Sequence, residues 1–159
     1  MTIADQIDTY LRTQLSKIRV GQTITLFNGT VYTFRTDAGR LVDKQLEYTE
    51  HPDDMPAIAF YTGKMSTSFD GDTPAELGME NHTLEVSVEG FISSDKGGTE
   101  GDNLRLDITC ALKADPWWGE LILAMDSFET DSSVQIGDEV YSVARVSFNA
   151  IYTAPFGQE

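Results

Sequence analysis

The 159 residues contain a single cysteine, Cys110, so no intramolecular disulfide and no multi-thiolate zinc cage can form, and the interior must be held by packing. That usage suits a reducing cytoplasm. Positive charge is also scarce: 11 Lys and Arg stand against 26 Asp and Glu, a formal charge of -15 and a pI near 4.3. A chain of this charge repels polyphosphate, which excludes a protein that wraps DNA or RNA. No apolar run approaches the roughly 20 residues that span a bilayer, and the N-terminus lacks the basic and apolar regions of a secretory signal. A soluble protein outside that route is expected. Histidine is nearly absent; His51 and His82 lie in or beside polar loops, where exposed histidines are the commoner reading, and a metal held by them would need carboxylate ligands such as Asp53, Asp54 or Glu80. No metal and no cofactor are expected.

What is present is enough to fold. Apolar residues make up 40% and aromatics 10%, which offsets the ordering entropy, and the length suits one core; a single domain over residues 1–159 is the reading. The charge is uneven. Residues 1–45 carry a net +2, with Arg12, Lys17, Arg19, Arg35, Arg40 and Lys44 as the bases, while residues 46–159 carry a net -17. Such asymmetry is either a solvated acidic face or a surface on which copies of the chain meet, basic against acidic.

Along the chain, Thr2-Ile3-Ala4-Asp5 has the form of a capping box. Ile3, Ile7, Tyr10, Leu11, Gln14, Leu15 and Ile18 then follow one helical stripe, with Gly21 placed to end it. Asn28-Gly29 between Ile24–Phe27 and Thr30–Phe34 predicts a hairpin over about 22–36, its tight turn using positive φ at both positions. The run 57–61, between Pro56 and Gly63, reads as a third strand.

Residues 63–82 show no period and read as a long loop. From His82, Leu84, Val86, Val88 and Ile92 alternate with Glu85, Ser87, Glu89 and Phe91, the pattern of a half-buried strand with two carboxylates on its polar face. After the turn-rich stretch 93–101, Asp102 is a plausible N-cap for a second helix with Leu104, Ile108, Ala111 and Leu112 as its stripe, stopped by Asp115-Pro116. A short helix is expected over 118–125. A last strand carries Val140, Ala144, Val146, Phe148, Ala150 and Tyr152 on one face, before Pro155. The order predicts an α+β domain: a mixed or antiparallel sheet with two main helices packed on one face.

Catalytic signatures are missing. Asp70-Gly71-Asp72 lacks the register of a calcium loop and reads as an acidic turn. The glycines at 97–101 lack the ending of a phosphate loop, and their acidic neighbours oppose phosphate. Cys110 falls in the apolar arc of the second helix, where a thiol acts as a small hydrophobe with a raised pKa and no neighbouring base. Trp117 and Trp118 leave the backbone in different directions, so one indole is expected in the core and the other as partial cover or as a subunit contact.

Three stretches taken together resemble the tail terminator (tail completion) proteins of tailed bacteriophages: the helix Ile3 to Ile18 running into a hairpin; the block Leu104 to Asp115 followed by Trp118-Gly119-Glu120-Leu121; and the ending Val146 to Pro155, with Phe148-x-x-x-Tyr152-Thr153. The resemblance covers most of the chain in order, as a pattern of residue types. It implies a non-catalytic virion protein of the tail, assembled in the host cytoplasm. Such a protein forms a hexameric ring on the last ring of the tail-tube protein, ends its polymerisation and presents the opposite surface to the head connector protein.

On that reading, genomic DNA passes through without specific binding because a negative bore repels it, and no membrane is involved. Glu85 and Glu89 are then the candidates for the bore. Arg12, Arg19, Arg35, Arg40, Asp70, Asp72, Trp117 and Trp118 are the candidates for subunit or tube contacts. The loops 63–82 and 93–102 offer partner surface, and the length of 63–82 departs from the plainest family form. The neighbouring alternative is a tail-tube or head-tail connector (stopper or adaptor) subunit. A small acidic ligand-binding or enzyme domain and a nucleic-acid mimic are readings of other classes.

Overall fold

A computed structural model describes residues 2–42, 55–68, 79–93, 98–136 and 140–155. Helix α1 (Ile3–Leu15) opens with the full capping box: Thr2 Oγ1 accepts the Asp5 N–H at 3.1 Å and Asp5 Oδ2 accepts the Thr2 N–H at 2.9 Å. These bonds pull the exposed Asp5 carboxyl below its ordinary pKa. The helix ends at Ser16, well before Gly21. The chain then continues irregularly, so that Ile18 joins the core from beyond the helix.

The hairpin forms from β1 (Thr23–Thr25) and β2 (Val31–Thr33) in antiparallel register. Its turn differs from the expected two-residue type. Leu26 and Thr30 close a three-residue loop in which Gly29 alone takes positive φ, at 86°, while Asn28 Oδ1 accepts the Thr30 N–H. One glycine supplies the single left-handed residue that such a loop requires.

Five strands make the main sheet, in the order β3 (Arg40–Val42), β4 (Ala57–Ser68), β5 (Met79–Ser93), β7 (Val140–Pro155) and β6 (Ala124–Ile136). Only β3 and β4 run parallel; the other neighbours are antiparallel. Helix α2 (Thr99–Lys113) packs with α1 over one face, giving the α+β class. A Cβ at Gly90 of β5 would lie 2.5 Å from Leu104 Cδ2, so the missing side chain is what lets α2 approach the sheet. Ile7, Leu11, Ile18, Ile58, Phe60, Val86, Val88, Leu104, Ile108, Val146, Phe148 and Tyr152 form one buried core between helices and sheet.

Several elements depart from expectation. Strand β4 runs on through part of 63–82, and residues 69–78, with Asp70 and Asp72, lie outside the described residues. Helix α2 begins at Thr99 with Gly98 at the cap and no side-chain cap bond; Asp102 lies inside its first turn. The expected helix 118–125 is instead a set of tight turns leading into β6, because Trp118 and Glu120 adopt positive φ, which a helix cannot accommodate. His82 is not a loop residue: it sits in β5, 1% exposed.

A buried carboxylate joins the hairpin to the helical layer. Asp107 of α2, 0% exposed, accepts hydrogen bonds from the Tyr32 hydroxyl at 2.5 Å, the Thr36 hydroxyl at 2.5 Å, and the backbone N–H of Thr36 at 2.8 Å and of Arg35 at 3.1 Å. Four charge-assisted bonds offset its desolvation. Tyr32 is pushed well above its ordinary pKa, first by burial and then by the bond to Asp107. Within the helical layer Gln14 of α1 ties the two helices, donating to the Ala111 carbonyl of α2 at 2.9 Å.

Candidate functional site

Strand alternation sorts the residues of the sheet into two populations. On β5, the even positions Leu84, Val86 and Val88 enter the core, and Glu85, Ser87 and Glu89 turn to the opposite, helix-free face. Register then decides their neighbours. Tyr61 of β4 pairs with Ser87; Arg145 of β7 stands between Glu89 and Asp131; Ser147 stands between Ser87 and Glu129; Asn149 stands between Glu85 and Asp126. Five carboxylates, those of Glu85, Glu89, Asp126, Glu129 and Asp131, therefore share one face with the guanidinium of Arg145.

The face is an open depression of about 450 Å³ lined by Tyr61, Ser87, Glu89, Glu129, Asp131, Arg145 and Ser147 among others. Inside it the Tyr61 hydroxyl donates to Glu89 Oε1 at 2.7 Å. Tyr61 is held above its ordinary pKa, first by burial and then by that bond, so it remains a donor at neutral pH. Arg145 reaches Asp131 at 3.7 Å and Ser133 Oγ at 3.4 Å, both long contacts on exposed side chains. One loosely held cation leaves the face strongly negative. Glu85 folds over the bulge of β4, where its Oε2 accepts the Lys64 N–H at 3.3 Å. At one end the same face is closed by Ala59, Phe91, Tyr141 and Val143, a small apolar cluster with Met55 against it.

The sequence-predicted contact residues do not converge. Arg12, Arg19, Arg35 and Arg40 are all exposed, on α1, after α1, after the hairpin and on β3. The Arg12 guanidinium lies 5.2 Å from the Phe60 ring centroid, and Arg35 Nη1 donates to Asn103 Oδ1 at 3.3 Å. The two tryptophans separate. Trp118 is 2% exposed, stacks on Tyr10 and donates its indole N–H to the Leu112 carbonyl at 3.0 Å, so it cannot serve as a contact residue. Trp117 is 46% exposed, edge-on to the still more exposed Phe27 beside an apolar groove that also takes in Leu123 and Cys110. Cys110 is half-buried, and burial, then the Asp107 charge, raises its pKa.

Two features escaped the sequence reading. Asp126, Glu129 and Asp131 lie on a strand whose polar composition hid it; their spacing of alternate residues past a bulge was the available signal. The other is the burial of His82 beside Glu80 on the core side of β5. His82 Nε2 lies 3.3 Å from Glu80 Oε2 without a formed hydrogen bond, Nδ1 lies 3.1 Å from Thr67 Oγ1, and the ring stacks on Tyr152. Among the described residues no group of three or more His, Cys, Asp or Glu could hold a metal ion, and no helix is long and apolar enough to cross a membrane. No protein-family model matches the chain, and no curated protein matches it either.

Proposed function

We propose that the protein is a ring-forming terminator of a phage tail: a homo-oligomer, expected as a hexamer, that caps the tail-tube protein, ends its polymerisation and offers its other surface to the head connector protein. The observation that carries this reading is the sheet face with five carboxylates and one guanidinium, left uncovered by either helix. Turned inward in a ring, such a face repels the phosphate backbone and lets DNA slide without specific binding. Glu85 and Glu89 stand at its middle, with Asp126, Glu129 and Asp131 alongside. Trp117 and Phe27 supply an exposed aromatic pair of the kind that anchors protein contacts. The resemblance of α1 with its hairpin, of the α2 block and of the β7 ending to the terminator family supports the same reading.

Electron microscopy of the purified protein, alone and mixed with tail tubes, tests it. Discrete six-fold rings, and tubes whose ends no longer grow, are the expected result. Long tubes made of this chain alone would assign it to the tube subunit. A monomer that neither forms rings nor caps tubes would overturn the proposal and favour a ligand-binding domain, for which the depression around Tyr61, Glu89 and Arg145 would be the site.

A further inference from the structure

Both margins of the main sheet carry unpaired backbone among the described residues. Strand β6 pairs with β7 alone. On the other side, β3 covers Ala57–Ala59 of β4, no described strand lies against Phe60–Ser68 on its outer edge, and Thr62 to Thr67 are all exposed. Long open edges invite another strand, because their N–H and C=O groups are already aligned for pairing. The two edges differ in charge. Asp126, Glu129 and Asp131 are exposed on β6, whereas Lys64 is exposed on β4 and Arg40 on β3.

We infer that the β6 edge of one copy docks against the β4 edge of the next, joining neighbouring sheets into one continuous sheet around the ring. This rests on the ring reading above and names the contact that would build it. Strand direction agrees. β4 runs antiparallel to β5, β5 to β7 and β7 to β6, so β6 runs opposite to β4. In a ring whose axis follows the strands, each copy keeps its direction, and β6 meets the neighbour's β4 antiparallel, continuing the alternation. Charge decides against the other arrangement. A two-fold contact of β6 with a second β6 would set Asp126, Glu129 and Asp131 against their own copies, and like charges across strands repel. The head-to-tail contact sets them against Lys64 and Arg40. Bulges interrupt β4 between Thr62 and Met65 and β6 between Asp126 and Glu129. Each edge is thereby divided into short runs, which restricts the registers at which the pair can form.

The same geometry fixes which way the sheet faces. With strands along the axis, one face of the joined sheet lines the bore, and the helices occupy the other. Because α1 and α2 cover the core face, the carboxylate face is the one left to the bore.

Two measurements on the full chain test this. Carbodiimide cross-linking of a mixture of unlabelled and ¹⁵N-labelled protein should join the Lys64 peptide of one copy to the Asp126–Asp131 peptide of another, read as mixed-isotope products by mass spectrometry. In light scattering, R40E/K64E and D126K/E129K should each lower the assembled mass about sixfold, to that of the protomer. The variant carrying all four changes, whose edges are complementary again, should recover the ring. Rings that persist in both double variants and lack the inter-copy Lys64 cross-link would overturn the edge contact while leaving the ring reading intact. Wild-type protein that stays monomeric both alone and on tube ends would overturn the ring reading, and the edge contact with it.

Discussion

The two faces of the sheet are built from alternate residues of the same strands yet obey opposite rules. On the covered face the large side chains pack into one buried core, and the helices that cover it bring in Asp107 and Gln14, both anchored by short hydrogen bonds. On the open face, carboxylates accumulate with one arginine, and most of the contacts are long and exposed. Burial makes interactions on the first face costly to lose. Water and mobile ions screen those on the second. The covered face therefore carries stability, and the open face is free to carry charge.

The contrast is sharpest at neighbouring positions, and the largest effects are expected where burial is complete. Trp118→Ala should cost about 4 kcal/mol, for a lost indole and the cavity it leaves. Trp117→Ala, one residue away, should cost under about 1 kcal/mol. Urea unfolding of both variants checks the ratio, and equal losses would break the comparison. Asp107→Ala should cost about 3 kcal/mol, since the Tyr32 and Thr36 hydroxyls and two backbone N–H groups lose their acceptor. Hydrogen exchange of the same variant should show the hairpin loosening first, as faster amide exchange at β2.

A smaller effect is expected at high pH. Tyr10 is raised to about 12 from 10.0, first by burial and then by the Asp115 charge. The folded state favours the protonated phenol, so this contribution is fully present below pH 10 and is lost as pH rises through 12. Thermal denaturation of wild type and Tyr10→Phe between pH 9 and 12 should show the wild type falling more steeply. The smallest effects belong to the open face. Glu85→Gln and Glu89→Gln should each stay within about 0.5 kcal/mol of wild type. A loss of several kcal/mol from Glu85→Gln would mean that the open face is structural and would erase its difference from the covered one.

Elements written in local pattern were legible. The capping box and stripe of α1, the positive-φ glycine of the hairpin, the alternation of β5 and β7 and the stripe of α2 all depend on contacts within a few residues or on one buried face. Strand β6 was not, because Asp126, Ser127, Glu129, Asp131, Ser132 and Ser133 lack the apolar alternation of a half-buried strand, and its backbone is held by β7. The three-residue β3 is too short to leave a pattern. His82 looked exposed because its sequence neighbours are polar; the Tyr152 ring that covers it is distant in the chain.

By itself the sequence determined the net charge, the class of the fold, the start of the first helix and the face of β5 on which Glu85 and Glu89 stand, since each follows from composition or from the period of a local segment. Only the tertiary structure decided that Asp126, Glu129 and Asp131 join them, that Asp107 is buried under four hydrogen bonds, that Trp118 is core while Trp117 is surface, and that, among the described residues, Asp126, Glu129 and Asp131 stand at one margin of the sheet and Arg40 and Lys64 at the other. Those outcomes depend on which strands become neighbours and in what register, and pairing between distant segments is set by burying the shared core, which no local window of residues contains.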